Sequence, residues 1–115
     1  MLPRDKRVTD NKDFQKIFRK GRRASSLSFG LSVLSNRGGV SRLGIIVGKK
    51  FSKKAVERNR AKRIIREAIK NLYSQINPSL DIIISLKNVR KNDLKLTAVE
   101  QELKVLFLKS GVIKK

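Results

Sequence analysis

The stretch from Lys49 to Tyr73, KKFSKKAVERNRAKRIIREAIKNLY, restricts the chain more than any other because it is apolar and cationic at once. From Ala55 onward, apolar side chains recur at Ala61, Ile64, Ile65, Ala68, Ile69 and Leu72, the three-and-four spacing of one helical face. This predicts a helix whose Ala and Ile stripe is covered by other elements. At about 100° per residue, Arg58, Asn59, Lys62, Arg63, Arg66 and Lys70 fall on a contiguous opposite arc, with Arg60 and Glu67 on its far side. A solvated face ordinarily interleaves acids with bases, since like charges three or four apart oppose the helix. Here Glu57 and Glu67 stand almost alone. Such an arc makes sense against a polyanion that supplies the countercharge. An anionic membrane surface fits less well, because the apolar stripe has no Trp or Phe anchor.

The whole chain carries the same bias. Its 115 residues, enough for one domain with its own core, include 29 Lys and Arg against nine Asp and Glu, a formal charge of +20. Charge of that size points to nucleic acid. There is no Cys and no His, which excludes disulfides and thiolate or imidazole metal sites. The lack of Cys suits a reducing cytoplasm. No apolar run approaches membrane-spanning length, and the start, MLPRDKRVTD, lacks the apolar core of a signal peptide.

Elsewhere the patterning is that of a small mixed fold. Residues Leu2 to Arg7 read as an irregular arm. Asp10 or Asn11 can cap a helix carrying Phe14, Ile17 and Phe18 on one face, stopped by Gly21. Basic neighbours such as Lys12, Lys16 and Arg19 would allow the rings of Phe14, Phe18 and Phe29 to stack unpaired bases, although spacing alone favours ordinary core rings. Leu27, Phe29, Leu31 and Val33 alternate with Ser26, Ser28, Gly30 and Ser32, a strand with one buried face. Asn36-Arg37-Gly38-Gly39 reads as a hairpin connection to a second strand, Arg42 to Val47, in which Gly44 leaves room for close approach. After the turn Asn77-Pro78-Ser79, Leu80 to Leu86 is an aliphatic run suited to a strand buried on both sides. Thr97-x-x-Glu100 reads as a capping box, and Leu96, Val99, Leu103, Leu106 and Phe107 as the stripe of a last helix ending near Gly111. The predicted order is αββαβα, an α/β two-layer sandwich with a small mixed sheet and about three helices.

Little here supports chemistry by the polypeptide itself. The usual general base and thiol nucleophile are missing, and the nine carboxylates are scattered. Gly44-x-x-x-Gly48-Lys49 lacks the spacing of a phosphate-binding P-loop.

Two blocks carry a family resemblance. The run Arg42-Leu43-Gly44-Ile45-Ile46-Val47-Gly48-Lys49-Lys50, followed by Ala55-Val56-x-Arg58-Asn59-Arg60-x-Lys62-Arg63-x-x-Arg66-Glu67, closely resembles the signature of the protein component of bacterial ribonuclease P, with Arg58, Asn59 and Arg60 as its RNR motif. Asp13-Phe14-Gln15-Lys16-Ile17-Phe18-Arg19-Lys20-Gly21 is similar to that family's first-helix signature. The resemblance implies a sandwich with a left-handed crossover, unlike most such connections. It implies a non-catalytic cytoplasmic subunit, one per catalytic RNA, that binds this RNA and the 5′ leader of precursor tRNA. Mg²⁺ would work at the RNA active site, no protein site for it being evident in the sequence.

By the same resemblance, Arg58, Asn59, Arg60, Lys62, Arg63 and Arg66 would face RNA. Arg42, Lys49, Lys50 and Lys53 would add loop and strand-end contacts, and Phe14, Phe18, Phe29 and Lys12 would line the leader cleft. The chain departs from the family at Ser32, where an aromatic residue is common three positions after the strand phenylalanine. A small basic ribosomal protein, bound to ribosomal RNA, is the alternative.

Overall fold

A computed structural model of the chain describes residues 6–87 and 94–113. Three helices and four strands follow in the order α1 (Asn11–Lys20), β1 (Arg22–Ser25), β2 (Phe29–Ser35), β3 (Arg42–Ile46), α2 (Ala55–Leu72), β4 (Leu80–Leu86) and α3 (Leu96–Ser110). The strands form one open sheet ordered β1-β2-β4-β3, antiparallel between β1 and β2 and between β2 and β4, and parallel between β4 and β3. Helix α2 is thus the crossover that joins the two parallel neighbours. The α/β layering, with about three helices on a small mixed sheet, is as expected. Of the proposed N-terminal arm, residues 1–5 lie outside the described residues, while Arg7 bridges Leu43 and Val8 N–H donates to the Leu43 carbonyl at 2.9 Å.

Alternation along the strands divides the interior in two. Phe29, Leu31 and Val33 of β2, Leu43 of β3 and Ile82 and Ile84 of β4 join the stripes of α2 (Ala61, Ile65, Ala68, Ile69, Leu72) and α3 (Val99, Leu103, Leu106, Phe107) in the main core. The intervening residue Ile83 packs instead with Ile17 of α1 and Val8, flanked by half-buried Phe14, Phe18, Leu34 and Ile46. The sheet therefore has α2 and α3 on one face and α1 on the other.

Helix α1 is seated by short-range chemistry. The Asp10 side chain accepts from Lys12 N–H at 2.9 Å, an N-cap. At the other end, a Cβ on Gly21 would lie 2.5 Å from the Ile17 carbonyl oxygen and 2.8 Å from that of Val33, so glycine permits the close passage from α1 to the sheet. Gly44 does the same under the helix, where a Cβ would come within 2.7 Å of the Phe14 ring.

Four local expectations change. Strand β1 has no counterpart in the predicted order: its sequence Arg-Arg-Ala-Ser has a single apolar residue, the composition of a short, charged edge strand. Leu27 belongs to no strand and is 90% exposed. It sits in the β1–β2 turn, closed by Ser26 N–H to the Phe29 carbonyl, and held by Glu102, which accepts from the Ser26 hydroxyl and Ser28 N–H. Asn36–Gly39 does not connect a hairpin, because β4 lies between β2 and β3. The capping box is absent as well, for α3 begins at Leu96 with Lys95 as N-cap, leaving Thr97 inside the first turn with no cap to make.

Candidate nucleic-acid interface

With Ala61, Ile65, Ala68, Ile69 and Leu72 buried, α2 must turn its other side outward. Asn59, Arg60, Arg63 and Lys70 are exposed, and Arg58, Lys62 and Arg66 are half-buried. The loop ahead of α2 adds exposed Lys49, Lys50 and Lys53. Two buried residues anchor that loop. Phe51 enters the main core, and the Ser52 hydroxyl donates to Glu57 at 2.9 Å while accepting from Lys54 N–H at 3.1 Å. Arg58 supports it too, donating from Nη1 to the Ser52 carbonyl at 2.9 Å. A guanidinium has five donors, so Arg58 can brace the loop and still meet a phosphate.

The opposite face of the sheet holds a groove of about 430 Å³. Phe18 of α1 forms one wall, Arg23 and Ser25 of β1 the other, and Gly30, Ser32 and Ser85 the floor. Small floor residues leave the Phe18 ring room to meet a flat ligand. Gly30 and Ser32 read in the sequence only as the polar half of an alternating strand, and Ser85 as part of an aliphatic run, so their meeting in one floor was not legible there. A smaller depression of about 150 Å³ at the β3 edge brings Arg66 of α2 together with Arg7, Thr9, Phe14 and Gly44. It joins the cationic face of α2 to the α1 side. Lys12 is exposed in the first turn of α1.

One expected contact is corrected, and another is found engaged within the protein. Phe29 is fully buried in the main core, on the face of β2 opposite Gly30 and Ser32, and cannot line the groove. Arg42 is committed to carboxylates: Nε and Nη2 donate to Asp81 at 2.9 and 2.7 Å, and Nη1 to Asp13 at 3.3 Å. The hydrogen bonds to Asp81 above all, opposed by burial and aided by the field of both carboxylates, push the Arg42 pKa above the ordinary arginine value. Three of its five N–H donors and much of its charge are thus engaged within the protein, at the position where the resemblance implies a strand-end RNA contact.

Comparisons with known proteins agree with this arrangement. The family model described as Ribonuclease P matches residues 2–111. A ribonuclease P protein component from a Synechocystis species is 36% identical over 115 residues, covering 97% of this chain and 90% of the relative. One from Clostridium botulinum is 32% identical over 110 residues, covering 95% and 97%. Among solved structures, the Staphylococcus aureus RNase P protein superposes with a TM-score of 0.84 at 33% identity, over 95% of this chain and 98% of that one. The Thermotoga maritima protein gives 0.78 at 29% identity, over 87% and 94%. The ribosomal alternative gains no support from these matches. A basic face on α2, a groove on the opposite face of the sheet and family likeness along nearly the whole length agree: the chain belongs to the ribonuclease P protein component family, whose members partner the ribonuclease P RNA in the ribonucleoprotein endoribonuclease that processes tRNA.

Proposed function

We propose that this chain divides its work between two surfaces, holding ribonuclease P RNA along α2 and the preceding loop, and the single-stranded 5′ leader of precursor tRNA in the groove beneath α1. The observation that carries this reading is the groove itself, with an aromatic wall at Phe18, a floor of Gly30, Ser32 and Ser85, and Arg23 at its margin. A ring and a cation beside small residues suit an unpaired base and its phosphate with little demand on base identity. Arg60, Lys62 and Arg63, with Lys49, Lys50 and Lys53, supply phosphate contacts whose strength falls steeply with salt. The depression shared by Arg66 and Phe14 would let one bound strand pass from one surface to the other.

The protein's contribution is binding and positioning. Among the described residues no group of three or more Asp or Glu side chains converges, and we assign the Mg²⁺ that the reaction uses to the RNA. No helix of the described chain is long and apolar enough to cross a membrane. We place the working complex in the cytoplasm, one protein to each catalytic RNA.

The test is single-turnover cleavage of precursor tRNA by a bacterial ribonuclease P RNA at low Mg²⁺, with and without this protein, using long and very short leaders. Rescue of cleavage that favours the long leader is expected. Rescue indifferent to leader length would remove the groove from the reading, and no rescue at all would defeat both surfaces.

A further inference from the structure

We propose that Arg42 is a positioning residue: gripping Asp81 of β4 and Asp13 of α1 together, it sets α1, and with it Phe18, at the distance from the sheet that the groove requires. This deepens the leader-groove reading and rests on it.

The packing explains why α1 needs such a device. Among the described residues, 22 buried side chains make up the core under α2 and α3, whereas only Val8, Ile17 and Ile83 are buried under α1. With only half-buried Phe14, Phe18, Leu34 and Ile46 around those three, polar contacts share in fixing the lateral position of the helix: Arg23 Nη2 donates to the Phe18 carbonyl at 3.1 Å near its end, and Arg42 acts at its start. Arg42 lies opposite Asp81 in the β3–β4 register, and Asp81 is only 6% exposed. Both Asp81 oxygens are bonded within the sheet layer, one to Arg42 Nε and to Asn36 Nδ2 at 2.8 Å, the other to Arg42 Nη2. The sheet is thereby satisfied, yet the remaining Nη1 reaches across to Asp13 in the first turn of α1.

Asp13 precedes Phe14, whose ring rests over Gly44, and Phe18 stands one helical turn further on, at the groove wall. Glycine allows close approach and the guanidinium fixes its direction. A planar fork holds two carboxylates on different elements in fixed directions; an ammonium in its place has three rotatable donors on a flexible stem and fixes neither direction.

The experiment uses the full chain with Asp13→Asn, which removes the charge that draws Arg42 Nη1 to α1 but leaves the Arg42–Asp81 pair, and Arg42→Lys as a second variant. Each is reconstituted with ribonuclease P RNA. The preference for a long-leader over a leaderless precursor should drop about fivefold in both, while affinity for the catalytic RNA holds. In a double-mutant cycle, Asp13→Asn should add little once Phe18→Ala is present. NMR of phenylalanine-labelled protein gives an RNA-independent reading: Asp13→Asn should shift the Phe14 and Phe18 ring signals and leave Phe29 and Phe107 unmoved. An unchanged leader preference, fully additive effects or unmoved Phe14 and Phe18 signals would each overturn the proposal. If wild-type protein itself ignores leader length, the leader-groove part of the proposed function fails and the ring signals alone decide the role of Arg42.

Discussion

The two faces of the sheet are built on different principles. Under α2 and α3 the contact is continuous and apolar, from Phe29 and Leu31 through Ile82 and Ile84 to Ile65, Leu103 and Phe107. Under α1 it is sparse, interrupted by a charged bridge at Arg42 and an open groove at Gly30, Ser32 and Ser85. Apolar burial contributes stability roughly in proportion to area, so the first face holds the fold together. The second gives up that contribution to leave space for a ligand. The cationic side of α2 is available because its other side is so thoroughly covered.

The largest effect should come from breaking the covered face. Phe29→Ala should cost about 3–5 kcal/mol in denaturant unfolding, since it opens a cavity in a full core. A loss near that of a groove residue would mean that Phe29 is not core. Next, Arg60→Ala with Arg63→Ala should leave stability within about 0.5 kcal/mol and make the salt dependence of RNA binding shallower by about one to two units of log–log slope. Phe18→Ala should reduce leader affinity by about 1–3 kcal/mol, the range of one base stacked on an aromatic ring, with little change in binding to the catalytic RNA. Gly44→Ala separates the faces in another way. Its Cβ would press on the Phe14 ring, so a destabilisation of about 1–3 kcal/mol should accompany weakened leader binding. The smallest effect belongs to Leu27→Ser in the exposed turn, expected within about 0.5 kcal/mol of wild type in thermal unfolding.

Strong periodicity made α1, α2, β4 and most of α3 legible in the sequence. The buried stripe of α2 is the one its spacing predicts, Ile64 alone being only partly covered. Strand order was not legible, because whether β4 enters between β2 and β3 depends on long-range packing that no local turn signal records. Asn36–Gly39 looks like a hairpin turn whichever neighbour β2 takes. The alternation that marked β2 as a strand put Phe29 on its buried face, opposite Gly30 and Ser32, and it was the family resemblance that placed the ring in the cleft. Arg42 read as a surface cation because Asp81 and Asp13 lie 39 and 29 positions away in sequence. Thr97 had the spacing of a cap without its place at a helix start.

The position of β4 also bears on the order in which the molecule can assemble. Every pairing that unites β2 with β3 passes through Leu80–Leu86, so the two earlier strands have no sheet partner in common until that segment has left the ribosome. The cationic helix α2 is synthesised before β4 and before α3, and meanwhile its apolar stripe lacks most of its eventual cover. Non-local closure of this kind slows folding relative to a hairpin meander. For the nascent chain, the strand that completes the sheet is also the one that decides when the RNA-facing helix acquires a fixed back.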